Sequence, residues 1–136
     1  MSHERAFRRT RADHASETAE DYVEAIDAAI RRSGLCRTND LATHFSVTAA
    51  TVNNTVSRLV RDGLATTQPY KPIELTPRGR RLAAKCRQRH EVVRSFLLAM
   101  GVSEQTAATD SEGIEHHVSA ETLAAMQKVL DRGWPV

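Results

Sequence analysis

The order of four short segments between residues 38 and 75 constrains the fold more than any other feature of the chain. The pattern predicts a short helix near Thr38 to His44, a polar turn at Ser46 to Thr48, and an amphipathic helix from about Ala49 to Asp62. A glycine ends that helix, and two extended segments with turn residues between them then predict a hairpin. This order of elements is typical of a winged helix-turn-helix.

The segment before this motif is predicted to hold a helix preceded by an arm. A stripe of Val23, Ile26 and Ile30 predicts a helix that begins near Ser16 or Thr18 and ends at about residue 33. The preceding residues are polar, basic and without helical period, so we interpret them as flexible. Either they form a solvated tail or their arginines contact phosphate. Those arginines are Arg5, Arg8, Arg9 and Arg11.

The second half of the chain is predicted to be helical. Thr76, a capping residue followed by proline, opens a long helix to about Met100. Shorter helices are predicted to begin after Ser103, at Asp110 and after Ser119. The second of these would carry residues 112–117.

Together these patterns predict a mainly α protein, with an N-terminal winged helix-turn-helix, a small β-hairpin wing and a helical second domain. We expect a flexible basic arm over residues 1–16, a winged helix-turn-helix domain over 17–76 and the helical domain over 77–136.

Charge and composition exclude several classes of protein. The formal net charge is only +2, so affinity for nucleic acid must come from a local basic surface. The two cysteines form no CxxC pair, which argues against a zinc finger. No run approaches the roughly 18 apolar residues of a membrane span. We therefore expect a reduced, cytoplasmic protein without a membrane partner.

The outward face of the amphipathic helix carries short polar side chains that suit the major groove of DNA. Asparagine pairs with adenine through two hydrogen bonds, and a threonine methyl contacts the methyl of thymine. An arginine on the helix and a lysine at the hairpin tip suit phosphate. The alternative is a small helical domain whose polar face is merely solvated. The residues predicted to contact DNA are Thr48, Ala50, Thr51, Asn53, Asn54, Arg58 and Lys71.

Three groups of oxygen and nitrogen donors indicate a metal site. Two carboxylates and an imidazole near residue 115 are spaced i, i+3 and i+4, so on a helix they would share one face. A second pair of carboxylates lies on the first helix, and one histidine lies on the long helix. The candidate ligands are Asp21, Glu24, His90, Glu112, Glu115 and His116.

If these helices converge, the donor set contains no sulfur, which suits manganese and other hard or borderline divalent ions. Its carboxylates would balance two divalent cations. Each group alone is also typical of a solvated helix face. Cys86 and His90 lie one turn apart and are a candidate zinc pair, with a buried structural thiol as the other interpretation of Cys86.

Three stretches of the chain resemble a known family. They are Asp21-Tyr22-Val23-Glu24, Arg89-His90-Glu91 and the run EGIEHHVS from Glu112 to Ser119. These stretches are similar to the manganese transport regulators of the diphtheria toxin repressor family, and the resemblance covers about residues 19–130.

The resemblance implies a winged helix followed by a helical metal-binding and dimerisation domain. It implies that the candidate ligands hold one or two Mn2+ ions per subunit. It also implies that a homodimer binds a double-stranded, palindromic DNA operator and represses metal-uptake genes when metal is plentiful.

The resemblance also shows where this chain departs from its relatives. The iron-responsive branch has a cysteine where Glu112 stands and a methionine near Asp21, so oxygen donors at both places favour the manganese branch. Many relatives have a glycine at the wing tip where this chain has Pro72, and some have a glutamate in place of Arg94. The recognition helix is distinctive, so the operator sequence is not carried over.

The predicted function is therefore that of a metal-dependent DNA-binding regulator, in which metal links the first helix to the second half and fixes the spacing of two recognition helices. The alternatives are an iron- or zinc-responsive repressor on the same fold, and a winged-helix regulator that is insensitive to metal. A metalloenzyme is not favoured, because no nucleophile–base arrangement is evident. No catalytic residue and no organic cofactor are predicted.

Overall fold

The structure, a computed structural model, describes the backbone of residues 3–133 and the side chains of residues 15–133. The chain divides into two compact units, Met1–Ala84 and Lys85–Val136. Among the helices that the structure describes, none is both long enough and apolar enough to cross a membrane.

The first unit has the element order of a winged helix-turn-helix, as predicted. Its two short strands pair antiparallel, with Ala65 opposite Leu75 and Thr66 opposite Glu74. The fourth helix begins in this unit and continues into the second. The elements are α1 (His3–Ser33), α2 (Thr38–Phe45), α3 (Ala49–Arg61), β1 (Ala65–Thr66), β2 (Glu74–Leu75) and α4 (Pro77–Ala99).

The first three helices and the hairpin pack around one apolar core. Val23 and Ile26 of α1 and Leu41 of α2 are fully buried in it. Tyr22 stacks on Phe45 with 4.4 Å between ring centroids and 9° between ring planes. The apolar stripe predicted for the first helix is therefore confirmed as the side that faces the core.

Local capping residues set the starts of α3 and α4 where the sequence predicted them. The hydroxyl of Thr48 accepts a hydrogen bond from the Thr51 N–H at 3.1 Å at the start of α3. The hydroxyl of Thr76 accepts from the Gly79 N–H at 3.0 Å at the start of α4. Gly63 follows α3 with a φ of +76°, which explains why a glycine stands at this helix end.

The second unit continues α4 and adds two shorter helices, α5 (Glu104–Ile114) and α6 (Ala120–Arg132). Ser103 and Ser119 cap them by accepting hydrogen bonds from the backbone N–H three residues later, at 3.3 and 3.1 Å. The prediction of a mainly α fold with a small hairpin is thus confirmed, and the hairpin lies in the first unit.

The first helix begins earlier than predicted. α1 starts at His3, so the prediction of a start near Ser16 or Thr18 is wrong. Residues 3–16 contain no glycine or proline, and alanine, arginine and glutamate propagate a helix without an apolar face. The predicted phosphate contacts of the arm arginines involve side chains outside the described residues.

The region near residue 115 also differs from the prediction. The separate helix expected from Asp110 to His117 is absent, and one continuous helix runs through Asp110 and ends at Ile114. Glu115 caps that helix and His116 lies in the turn beyond it. An aspartate favours a helix start only when nothing upstream propagates a helix, and here α5 already has its cap at residue 103.

Two large apolar side chains are exposed. Val60 of α3 has 38% of its surface exposed, and Met100 after α4 has 53% exposed. Both lie at helix ends, where the core-facing stripe has already turned away.

Candidate metal centre and nucleic-acid interface

The α3 helix presents its predicted DNA-reading face to solvent. Val52, Val56 and Leu59 are buried on the opposite side, which anchors the helix by its apolar face. The residues predicted to contact DNA are all exposed, namely Thr48, Ala50, Thr51, Asn53, Asn54, Arg58 and Lys71.

Hydrogen bonds orient part of this face. The Thr38 hydroxyl at the start of α2 donates to Oδ1 of Asn53 at 3.3 Å, and the Thr48 hydroxyl donates to Oγ1 of Thr51 at 3.0 Å. The Asn53 amide is therefore held by α2, while the Thr48 hydroxyl is occupied by its capping role. Thr38 was not among the residues that sequence analysis singled out.

A groove of about 620 Å³ separates α3 from the hairpin. Tyr70 stands at its hairpin side with a fully exposed side chain and a left-handed φ of +64°. The turn is closed by a hydrogen bond from the Lys71 N–H to the Gln68 carbonyl at 3.1 Å. The groove is lined on its polar sides by Arg37, Thr38, Asn39, Asn53, Ser57, Gln68, Tyr70 and Lys71.

Tyr70 is a candidate DNA contact that sequence analysis passed over. The sequence feature that could have identified it is an aromatic residue in a polar turn, two positions before Pro72. An exposed aromatic ring gains nothing from the core, so its position beside the groove is the observation that points to a function.

In the second unit, Glu115 is the centre of a buried polar cluster. Only 1% of its surface is exposed. Nε of Arg89 donates to its Oε2 at 3.1 Å, and Nε2 of His116 lies 3.3 Å from its Oε1. The His116 side chain is itself almost fully buried. The structure thus brings together two of the predicted ligands, Glu115 and His116, and places the guanidinium of Arg89 beside them.

His90 of α4 has a neighbour that sets its orientation. The buried Ser111 hydroxyl lies 3.5 Å from Nδ1 of His90 and donates its proton to the Ala108 carbonyl at 3.1 Å. Ser111 therefore offers a hydrogen-bonding partner to one of the two ring nitrogens of His90. This arrangement, in which the second ring nitrogen is held by a polar group, is typical of metal-ligating histidines.

The remaining predicted ligands lie in different surroundings. Glu112 is on α5 one turn before Glu115 and is exposed. Asp21 and Glu24 are partly buried on α1 in the first unit, one helical turn apart.

The donor chemistry of the second unit fits a hard or borderline divalent cation. Glu115 offers a buried carboxylate and His90 and His116 offer imidazoles, a combination suited to manganese, iron and zinc. Neither Arg89 nor Ser111 was predicted to take part in the metal site. Nothing local marks either residue, because their partners lie 26 and 21 residues away in the sequence.

Comparison with protein families places both halves of the chain. Residues 14–73 match a model described as the N-terminal DNA-binding domain of iron-dependent repressors. Residues 76–132 match a model described as the metal-binding and dimerisation domain of iron-dependent repressors.

Curated relatives are identical to this chain at more than a third of the aligned positions. It is 42% identical to the transcriptional regulator MntR of Escherichia coli O157:H7 over 125 residues, which are 92% of this chain and 81% of that protein. It is 39% identical to the HTH-type transcriptional regulator MntR of Lysinibacillus sphaericus over 104 residues, 76% of this chain and 75% of that protein.

Solved structures share the fold. A manganese-dependent transcriptional repressor in complex with manganese matches with a TM-score of 0.74 and 27% identity, over 83% of this chain and 52% of that chain. The manganese regulator SloR matches with a TM-score of 0.74 and 24% identity, over 83% of this chain and 53% of that chain. The chain therefore spans about half the length of these two solved proteins.

Proposed function

The chain belongs to the iron-dependent repressor family of metal-dependent, DNA-binding transcriptional regulators, and we propose that manganese is the metal to which it responds. A solved relative is described as manganese-dependent and in complex with manganese. The oxygen and nitrogen donors of this chain suit manganese by their chemistry. We expect one or two ions per subunit. The cytoplasmic location stays a prediction.

We propose that the metal is held by Asp21 and Glu24 of α1 and by His90, Glu112, Glu115 and His116 of the second unit. The observation that carries this proposal is the buried pair of Glu115 and His116, which places a carboxylate oxygen and an imidazole nitrogen 3.3 Å apart, both donors that borderline divalent ions accept. When bound, the metal supplies positive charge that neutralises the carboxylates.

The protein side of the switch follows from where these residues lie. α1 forms part of the core that carries α3, so α1 and α3 move as one body. Ligands on α1 and ligands in the dimerisation domain then let metal restrict the position of α3 relative to the dimer. Metal shifts the equilibrium only as far as it binds the DNA-competent arrangement more tightly.

We propose that the exposed face of α3 enters the major groove and that the hairpin contacts the adjacent backbone. The partners implied are double-stranded DNA and a second copy of the chain. A two-fold dimer presents two α3 helices, which favours a palindromic operator. The contacting residues proposed are Thr48, Ala50, Thr51, Asn53, Asn54, Arg58 and Lys71.

The test is an anisotropy titration on a duplex selected from a random library in the presence of Mn2+. We expect affinity to fall by about tenfold or more when a chelator replaces Mn2+, a coupling of the size usual in allostery. Glu115→Gln is expected to lose this metal response. Glu104→Gln, an exposed carboxylate in the first turn of α5, is the matched control and is expected to keep it. Equal affinity with Mn2+ and with chelator would contradict the proposal.

Iron is the second candidate metal, because both family models are described as iron-dependent. Elemental analysis of protein loaded under competing Mn2+, Fe2+ and Zn2+ separates the two. Replacing the exposed oxygen donor in Glu112→Cys is expected to shift the preference toward softer ions.

A further inference from the structure

Cys86 brings a sulfur atom close to the proposed metal ligands. Its side chain is fully buried on α4, one helical turn before His90. Its sulfur and a carboxylate oxygen of Glu115 lie within 4.8 Å of each other. A thiolate and a carboxylate at this separation can share one cation, and thiolate favours zinc and other softer ions over manganese. Cys86 is therefore a potential ligand that would favour zinc, whereas the proposed function requires manganese.

Arg89 contacts both of these donors. Its Nε donates to Oε2 of Glu115 at 3.1 Å, and its Nη2 donates to Sγ of Cys86 at 3.4 Å. Only 14% of the arginine side chain is exposed. The guanidinium is planar and permanently charged, and it carries several donors in fixed directions, so one side chain can hold both groups.

We propose that Arg89 is a specificity-determining positioning residue that keeps Cys86 out of metal coordination. A cation bound to Cys86 and Oε2 of Glu115 would have to displace the positive guanidinium from both. Oε1 of Glu115 lies 3.3 Å from Nε2 of His116, a nitrogen donor of the proposed metal site. Arg89 thereby limits the donor set to oxygen and nitrogen. This inference rests on the proposed metal-binding function.

The test uses Co2+ as a spectroscopic probe on the full chain, because a cobalt–thiolate bond gives a strong near-ultraviolet charge-transfer band. We expect the wild-type chain to bind Co2+ without this band. Arg89→Ala is expected to show the band, since the guanidinium no longer competes with Co2+ for the Cys86 sulfur and bound Co2+ displaces the thiol proton to the buffer. We also expect its affinity for Zn2+ relative to Mn2+ to rise by roughly tenfold or more.

The double variant Arg89→Ala/Cys86→Ala is the matched control. It is expected to lose the band and to return the ratio of Zn2+ to Mn2+ affinity toward the wild-type value. Cys86→Ala alone is expected to leave the Co2+ spectrum and the Mn2+ affinity of the wild type unchanged. Circular dichroism checks that each variant is folded.

Where Arg89→Ala does not fold, Arg89→Gln carries the same test with a side chain that still donates to Glu115. Where neither variant folds, the spectra of the wild type and of Cys86→Ala decide, and identical spectra support the proposal. A thiolate band in the wild type, or no band in a folded Arg89 variant, overturns it. Failure of the wild type to bind Mn2+ would contradict the proposed function and not the role of Arg89. The two outcomes are distinguishable because the cobalt spectra report only on whether Cys86 binds the metal.

Discussion

At the scale of single residues, the ion pair between Arg89 and Glu115 decides how the second unit tolerates a buried charge. A carboxylate removed from water is costly unless charged or hydrogen-bonding groups replace the water. Arg89 and His116 supply those groups, one to each oxygen of Glu115. The pair contributes little compared with an apolar core, but loss of one partner leaves the other charge buried and unbalanced.

Glu115→Gln and Glu112→Gln should therefore differ in the absence of metal. We expect Glu115→Gln to lower the free energy of unfolding by about 3 kcal/mol, because it leaves the Arg89 charge without its carboxylate. Glu112 is exposed, so Glu112→Gln should change stability by less than about 0.5 kcal/mol. Urea denaturation of the metal-free variants measures both. Equal losses would show that the ion pair does not bear on stability.

Cys36 gives a second prediction at this scale. Burial raises the pKa of its thiol from 9.0 to about 11, and the Asp40 carboxylate adds to the shift. The folded state therefore holds the proton more tightly than the unfolded state. The stabilising contribution is complete below pH 9 and is lost as the pH rises toward 11.

Urea denaturation from pH 8 upward is expected to show this loss in the wild type. Cys36→Ala lacks the group, so its stability should fall less steeply between pH 9 and 11, although its absolute stability is lower because of the cavity. Parallel pH profiles of the two proteins would contradict the assignment.

At the scale of secondary-structure elements, Gly79 allows α4 to begin against the hairpin. A Cβ at this position would overlap the carbonyl oxygen of Leu64 and press on the Leu75 side chain. Thr76 adds two hydrogen bonds there, one donated by its hydroxyl to the Gly63 carbonyl and one donated by its N–H to the Leu64 carbonyl. The start of α4 is therefore fixed to the base of the hairpin by backbone packing and two hydrogen bonds.

Gly79→Ala is expected to lower the free energy of unfolding by about 2 kcal/mol, since the added methyl must push backbone apart. Gly113→Ala is the matched control in another helix. A Cβ at position 113 meets nothing within 4 Å, so this change should stabilise the protein by a few tenths to about 1 kcal/mol. Thermal denaturation of both variants checks the opposite signs. A loss of stability in both variants would contradict the assignment of the Gly79 effect to steric overlap of the added methyl.

At the scale of the whole molecule, α6 offers an apolar face that its own chain does not fully cover. No residue of this helix is buried, yet Leu123, Met126 and Leu130 recur at helical spacing and are partly exposed. The helix lies within the part of the chain that matches the dimerisation domain model. We expect this face to pack against a second copy of the chain.

Met126→Glu should therefore weaken the dimer, because it places a charge on the apolar face. Ala125→Glu, on the exposed side of the same helix, is the matched control and should leave the dimer intact. Sedimentation analysis gives the oligomeric state of each variant. In Met126→Glu, DNA affinity should fall together with dimer affinity, since on the proposed palindromic operator a single copy would contact only one half-site. A dimeric Met126→Glu variant would place the interface elsewhere.

The class of fold and the chemical type of the metal donors can be predicted from the amino-acid sequence alone. Helical period, capping residues such as Thr48 and Thr76, and the glycine after α3 act over a few residues, so they are legible in the chain. The same locality explains the errors. A basic segment without an apolar face still propagates α1, and Asp110 starts no helix once α5 has begun upstream.

The way in which the donors are held depends on contacts between elements that are distant in the sequence. Glu115 and His116 come together in a turn and not on the helix face that their spacing suggested. The partner of Glu115 lies 26 residues before it, that of His90 lies 21 residues after it, and that of Asn53 lies 15 residues before it. A buried charge or amide takes whichever partner the packing brings near, and packing depends on contacts among elements that no local pattern encodes.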